Sequence, residues 1–125
     1  MSIRLILKRL KRLINHYFWH DKLVFANFVV SVGINLFFWI FLILKLNKLE
    51  DIVPLHYNIY FGIDMIGSKA ELLKMPALGL FILLVNIFLA FRIYKHERVN
   101  AYFLLFGNSL VQIFLLIAGI LIINL

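Results

Sequence analysis

Long apolar runs divide the chain into three segments that hold few or no charged residues. They cover residues 23–44, about 75–94 and 99–125, and the first and third contain no charged residue. At 1.5 Å per residue, a helix of about 20 residues crosses the roughly 30 Å hydrocarbon core of a bilayer. The pattern therefore predicts an all-α membrane protein in which the 125 residues form one integral domain with three transmembrane helices.

Residues 2–20 have a different pattern, because their apolar side chains recur every three or four positions. The cations fall largely on the other side of the helix that this spacing predicts: Arg4, Lys8, Lys11 and Arg12. A helix of this kind lies in the plane of a membrane surface, with its cations at the lipid phosphates. We therefore expect one interfacial helix over 2–20 whose cations contact lipid headgroups. Binding of a protein partner or nucleic acid is the alternative.

Composition narrows the class of protein further. Hydrophobic residues make up 64% of the chain and charged residues 15%, whereas a soluble domain has about 45–50% and about 25%. An ordinary water-soluble enzyme is therefore excluded. The net charge of +7 on so apolar a chain favours anionic lipid over nucleic acid as the partner. The absence of cysteine excludes disulfides, cysteine-ligated zinc and thiol nucleophiles.

Lysine and arginine are distributed unevenly around the three runs. Nine of them lie before the first run, at the end of the second (Arg92) or after it, against four in the loop 45–74. Cytoplasmic loops are enriched in these cations, so the count predicts a cytoplasmic N-terminus, an outer loop 45–74 and a C-terminus outside. The first run exceeds the apolar stretch of about 7–15 residues in a signal peptide, so we expect an uncleaved anchor. The expected location is the plasma (cell inner) membrane, as a multi-pass protein.

Amide side chains occur inside each predicted span. They are Asn35 in the first, Asn86 in the second, and Asn108 and Gln112 in the third. An unsatisfied amide in hydrocarbon is costly, so we expect these groups to face one another. A polar path for an ion or ligand is the alternative, but no ionisable residue lies at mid-depth to mark one. We therefore favour packing within the bundle or between copies of it.

The outer loop 45–74 is rich in residues that form turns. Gly62 and Gly67 can adopt positive φ, and Asn58 and Asp64 can bond to their own backbone. These residues predict a compact, turn-rich loop. The Ser-x-x-Glu spacing at Ser68 predicts a short helix beginning near Lys69, and Pro76 suits the first turn of the second span.

A longer motif, P-x-H-x-N-(x3)-G-x-D-x-x-G-S-K, runs through this loop between two predicted spans. It resembles a small membrane domain of unknown function found at the N-terminus of bacterial SdpI-type immunity proteins. The matching residues are Pro54, His56, Asn58, Gly62, Asp64 and Gly67, followed by Ser68 and Lys69. The resemblance covers roughly residues 25–95 and implies an immunity-like role on the outer side of the membrane.

Two chemical interpretations of the loop remain open. His56 and Asp64 can converge on a cation or peptide, or they can act with Asn58 as caps for backbone groups, which we favour. Two candidate ligands fall short of the three or four that zinc requires, and the same holds for His16 and His20. We therefore expect no metal and no cofactor.

No catalytic pattern accompanies these features, since the chain lacks a P-loop, a dinucleotide fingerprint and a Ser-His-Asp grouping. We therefore expect a small, non-enzymatic bacterial membrane protein that senses or shields against an agent in the envelope through its outer loop. The alternative is a structural or accessory subunit, as a homo-oligomer or in a larger membrane complex. A holin-like pore is less favoured.

Overall fold

A computed structural model describes residues 2–14 and 16–125. Helices account for most of these residues, and a pair of strands interrupts them once. The elements are α1 (Ile3–Ile14), α2 (Tyr17–His20), α3 (Lys22–Leu46), β1 (Ile52–Asn58), β2 (Gly62–Ser68), a 3-10 helix η1 (Lys69–Leu73), α4 (Lys74–Ile93) and α5 (Arg98–Ile123).

Three segments within the described residues are long and apolar enough to cross a membrane, namely α3, η1 with α4, and α5. The observed helices begin and end within two residues of the predicted runs 23–44, 75–94 and 99–125. The all-α class and the multi-pass membrane character are therefore confirmed. We call the end of the bundle that carries β1 and β2 the hairpin end, and the opposite end the α2 end.

The N-terminal helix predicted over about 2–20 is present but shorter, since α1 ends at Ile14 and a second short helix, α2, follows. His16 has extended backbone angles (φ −64°, ψ 141°), and its Nδ1 accepts a hydrogen bond from the Phe18 amide at 3.2 Å. This is N-cap geometry, so a new helix begins at Tyr17. α1 stays on the surface, whereas Phe18 is fully buried in a cluster with Val24, Tyr94 and Leu105.

The loop predicted to be merely turn-rich is an antiparallel hairpin. Tyr57 pairs with Ile63 and Asn58 with Gly62, and the register shifts near Leu55. The turn between the strands spans 59–61. Gly62 follows it at φ +73°, a conformation that suits glycine at the end of a three-residue turn.

Gly67 does not adopt the positive φ that we expected. Its lack of a side chain matters for another reason, because a Cβ atom there would lie 2.5 Å from Leu55 Cδ1. The short helix predicted near Lys69 is present as η1, and Ser68 Oγ accepts a hydrogen bond from the Ala70 amide at 3.4 Å. Pro76 lies in the first turn of α4 as predicted.

The bundle core has an apolar cluster at each end. Phe18 and its neighbours form the cluster at the α2 end. At the hairpin end, Phe38 and Leu42 of α3 pack with Val53 of β1 and Leu72 of η1. The hairpin base is therefore part of the core, and buried polar side chains occupy the space between the two clusters.

Candidate functional site

Gln112 is the centre of a buried polar layer between the three spans. Its Nε2 donates to the carbonyl oxygen of Gly79 at 2.8 Å and to Asn108 Oδ1 at 3.3 Å. Its Oε1 accepts from Asn35 Nδ2 at 3.1 Å, and the same Nδ2 donates to the Pro76 carbonyl at 3.0 Å. The structure thus brings Asn35, Asn108 and Gln112 together, and one side chain on α5 bonds to both other spans.

A second group of polar side chains connects α3 and α5 nearer the α2 end. Ser109 Oγ donates to Asn27 Oδ1 at 3.0 Å and lies 2.9 Å from Ser31 Oγ. Asn27 Nδ2 donates to the Leu23 carbonyl at 2.9 Å. Every buried side-chain polar atom in the described part of the chain has a partner, as expected for groups that hold helices together in hydrocarbon.

Asn86 does not join either group. It lies seven residues after Gly79, which places it about 10 Å nearer the α2 end at 1.5 Å per residue. Its side chain is half-buried and makes no hydrogen bond to the described residues. Every fully buried side-chain polar atom in the described part of the chain has a hydrogen-bond partner, so the amide of Asn86 must be partly exposed.

The loop motif places one pair of polar side chains across the hairpin. His56 Nδ1 lies 2.6 Å from Asp64 Oδ1, a distance at which the imidazole donates to the carboxylate. The two side chains are 62% and 37% exposed. Asn58 acts differently, since its Oδ1 accepts from the Tyr60 amide at 2.8 Å and closes the turn. Of the three residues expected to cap backbone groups, Asn58 does so, whereas His56 and Asp64 pair with each other.

The other motif residues shape the hairpin. Pro54 lies in β1 opposite Ile66, on a strand whose other edge is not paired within the described chain. Gly62 ends the turn and Gly67 makes room for Leu55. At the base, Lys69 Nζ lies 3.4 Å from Asp51 Oδ1.

A cavity of about 470 Å³ separates the hairpin from the last turns of α5. His56 and Tyr57 line it on the hairpin side, and the side chains on the α5 side are apolar: Ala118, Leu121, Ile122 and Leu125. His56 therefore lines a largely apolar space, and Asp64 is placed beside that space only through its contact with His56. This arrangement can accept a molecule with an apolar body and a cationic or hydrogen-bonding end. No group of three metal-ligating side chains occurs among residues 2–14 and 16–125.

At the α2 end, Asp21 forms a contact that sequence reasoning missed. Its Oδ2 accepts hydrogen bonds from the hydroxyls of Tyr94 and Tyr102, while its Oδ1 caps α3 by accepting from the Leu23 amide at 2.9 Å. Arg98 lies over the Tyr94 ring at 5.2 Å. Tyr94 and Tyr102 follow Asp21 by 73 and 81 residues in the sequence, so no local pattern predicts this contact.

The pKa values of this group follow from its contacts. Burial by itself raises the pKa of Asp21, but the hydrogen bonds from Tyr102, Tyr94 and the backbone outweigh it and lower that pKa below 3.8. Burial and the bond to Asp21 together raise the pKa of Tyr94 well above its ordinary value. Asp21 is thus a carboxylate and Tyr94 a neutral donor across the physiological range.

The four cations expected at lipid headgroups lie on the exposed α1 helix. Arg4, Lys8, Lys11 and Arg12 form no ion pair with an acidic side chain in the described ranges. A second apolar groove, of about 400 Å³, lies beside this helix. It is lined by Leu13, Trp19, Leu84, Ile87, Phe88, Phe91 and Arg92.

Comparisons with models of protein families, with curated proteins and with solved structures find no match to this chain. The resemblance to the SdpI-type domain therefore stays a prediction from the loop motif.

Proposed function

We propose that this is a non-enzymatic bacterial membrane protein that recognises an amphiphilic agent outside the cell through its hairpin. In this proposal the chain lies in the plasma membrane with the N-terminus in the cytoplasm and the hairpin and C-terminus outside. The observation that carries the proposal is the apolar cavity of about 470 Å³ that His56 lines, with Asp64 bonded to His56. The SdpI-type motif, whose residues build this hairpin, favours a sensing or immunity-like role.

The energetics of the pair favour recognition over a purely structural role. An exposed ion pair contributes about 0–1 kcal/mol to stability, and His56 is 62% exposed. The turn is already fixed by Asn58 and Gly62, and the base by Lys69 and the buried Val53. Asp64 offers a carboxylate to a cationic group, and the α5 side chains offer apolar surface to the rest of the molecule.

Protection of cells against a membrane-active cationic amphipathic peptide tests this function. Cells that express the wild-type chain should grow at peptide concentrations that stop cells expressing the triple variant Pro54→Ala, His56→Ala and Asp64→Ala. Lys48→Ala, in the exposed turn before β1, is the matched control and should protect like the wild type. Full protection by the triple variant at equal membrane abundance, or no protection by the wild type, would contradict the proposal.

We propose anionic lipid at the cytoplasmic face as the partner of α1. Side chains on both faces of this helix are exposed, including Ile3 at 74%, so the protein does not cover its apolar face. Amide hydrogen exchange of α1 in nanodiscs should slow as the fraction of anionic lipid rises. The effect should shrink when Arg4, Lys8, Lys11 and Arg12 are replaced by glutamine. Equal exchange in neutral and anionic discs would exclude this partner.

Asn86 favours a second candidate, an accessory subunit or a homo-oligomer. Its half-buried amide lies in a spanning helix without a hydrogen-bond partner among the described residues, and a neighbouring helix can supply one. Crosslinking in native membranes should give a larger species that Asn86→Leu weakens. Asn124→Leu, at the exposed end of α5, is the control. Recovery of monomer alone would count against this candidate.

A further inference from the structure

The three residues at the tip of the hairpin are the most exposed large apolar side chains in the described part of the chain. Ile59, Tyr60 and Phe61 are 82%, 87% and 83% exposed. Ile63 and Ile66 of β2 extend this surface along the strand. Residues 52–67 contain two side chains, apart from tyrosine, that can carry a charge. These are His56 and Asp64, and they pair with each other. The tip therefore presents rings and aliphatic groups without a charge of its own.

The position of β1 limits how far this tip can lie from the spans. Tyr57 lines the cavity with Ala118, and Ala118 lies five residues, or about 7.5 Å, before α5 ends at Ile123. Tyr60 follows three residues later, so its Cα lies at most about 11 Å from that of Tyr57. The tip cannot extend far from the last turns of α5.

Those last turns of α5 present exposed apolar side chains outside the cavity lining, including Ile117 at 49%. On a membrane-spanning helix such side chains face lipid. The tip therefore lies close to the surface that the last turns of α5 present to lipid. Aromatic rings are favoured at the boundary between headgroups and acyl chains, where the Tyr60 hydroxyl can bond to polar headgroups and Phe61 can be buried.

We infer that the hairpin tip, Ile59 to Phe61, inserts into the membrane interface of the leaflet that surrounds the end of α5. The occupant of this surface is lipid, not another protein. A contiguous apolar patch of this kind is otherwise left in water, which soluble surfaces avoid. Insertion also leaves the His56–Asp64 pair beside the headgroups. The inference is independent of what the cavity binds.

Because the chain contains no cysteine, single sites can be labelled without removing any residue. Phe61→Cys and Ile59→Cys, each carrying the environment-sensitive dye NBD, report on the tip in vesicles that contain only the purified protein and phosphatidylcholine. Glu50→Cys, in the exposed turn at the hairpin base, is the matched control. Circular dichroism of each labelled protein establishes that the helices are intact.

We expect the tip dyes to emit at shorter wavelength than the control dye and to be quenched at least twofold more by lipids with a nitroxide near the headgroup. Aqueous iodide should quench the control dye at least twofold more than the tip dyes. Equal iodide quenching at tip and base would overturn the inference. Shielding that requires native membranes, or that disappears on tenfold dilution of protein into lipid, would also overturn it, because the occupant would then be another protein or a second copy.

Discussion

The bond between Asp21 and the two tyrosines gives the sharpest test of what holds the α2 end together. Tyr102→Phe removes one hydroxyl and leaves the ring, the Tyr94 bond and the Asp21 cap of α3 in place. A hydrogen bond to a charged group contributes about 1.5–3 kcal/mol. Asp21 is only partly buried, so we expect a loss in free energy of unfolding near the lower limit, about 1.5 kcal/mol.

Both hydroxyls donate to the same oxygen, so their effects should not add. When one is removed, the other bond strengthens, and the double variant Tyr94→Phe with Tyr102→Phe should lose more than the two single losses combined. The measurement is reversible unfolding in mixed micelles, followed by circular dichroism, for the four members of this cycle. Tyr57→Phe is the control, since its hydroxyl makes no hydrogen bond to the described residues.

The pH dependence of the same cycle has a defined sign. The pKa of Asp21 is lower in the folded protein, so its stabilisation is present above 3.8 and is lost as the pH falls through the folded value. The pKa of Tyr94 is higher in the folded protein, so its contribution is complete below 10.0 and declines above it. The difference in free energy of unfolding between the wild type and the double variant should therefore be constant from about pH 5 to about pH 9. A loss for Tyr102→Phe no larger than that for Tyr57→Phe, or a difference that widens in acid, would refute the reasoning.

Three further predictions concern the bundle and the hairpin. Gly79→Ala should destabilise the protein, because a Cβ atom there would lie 2.8 Å from Gln112 Oε1. Gly107→Ala is the control, since a Cβ atom there would have no neighbour within 4 Å, and it should be neutral or stabilising. Thermal unfolding of both variants checks this. Gln112→Leu should lower the free energy of unfolding by about 2 kcal/mol, because the three hydrogen bonds of the Gln112 side chain are lost. Asn124→Leu is the control, and a smaller loss for Gln112→Leu than for this control would contradict the role of the polar layer. Gly62→Ala should lower the free energy of unfolding by about 1 kcal/mol, because alanine is strained at the φ of +73° that Gly62 adopts. Gly33→Ala is the control, and equal melting temperatures for the two variants would be inconsistent with the turn geometry.

The spans were predictable because length and apolar character alone determine what can cross a bilayer. The beginning of η1 was also predictable, since Ser68 caps the helix that follows it within two residues. The interruption at His16 was not, because the apolar spacing continues through it and histidine is an unusual N-cap. The hairpin was missed because Pro54, Asn58 and Gly62 favour turns locally, whereas the strand pairs form between residues up to sixteen positions apart, such as Ile52 and Ser68.

The surroundings of two polar side chains, Asn86 and Asp21, were not predictable from the sequence. Asn86 lies near the centre of the predicted second span, 75–94, but the observed span begins at Lys69 because η1 extends it. The centre of this longer segment lies nearer the hairpin end, on the side where the layer around Gln112 forms. For Asp21, the chain shows a carboxylate and two distant tyrosines, but only the packing of all three spans brings them to one point.

The position of Gln112 on the last span has a consequence for biosynthesis. In the described chain, the side-chain hydrogen bond between α3 and α4 is the one from Asn35 to Pro76, whereas Asn27, Ser31 and Gly79 all bond to residues of α5. Without α5, the first two spans keep that one side-chain hydrogen bond, and the polar groups of Asn27 and Ser31 lose their partners on α5. Insertion of α5 supplies these partners together, so we expect the bundle to close only when this span has entered the bilayer.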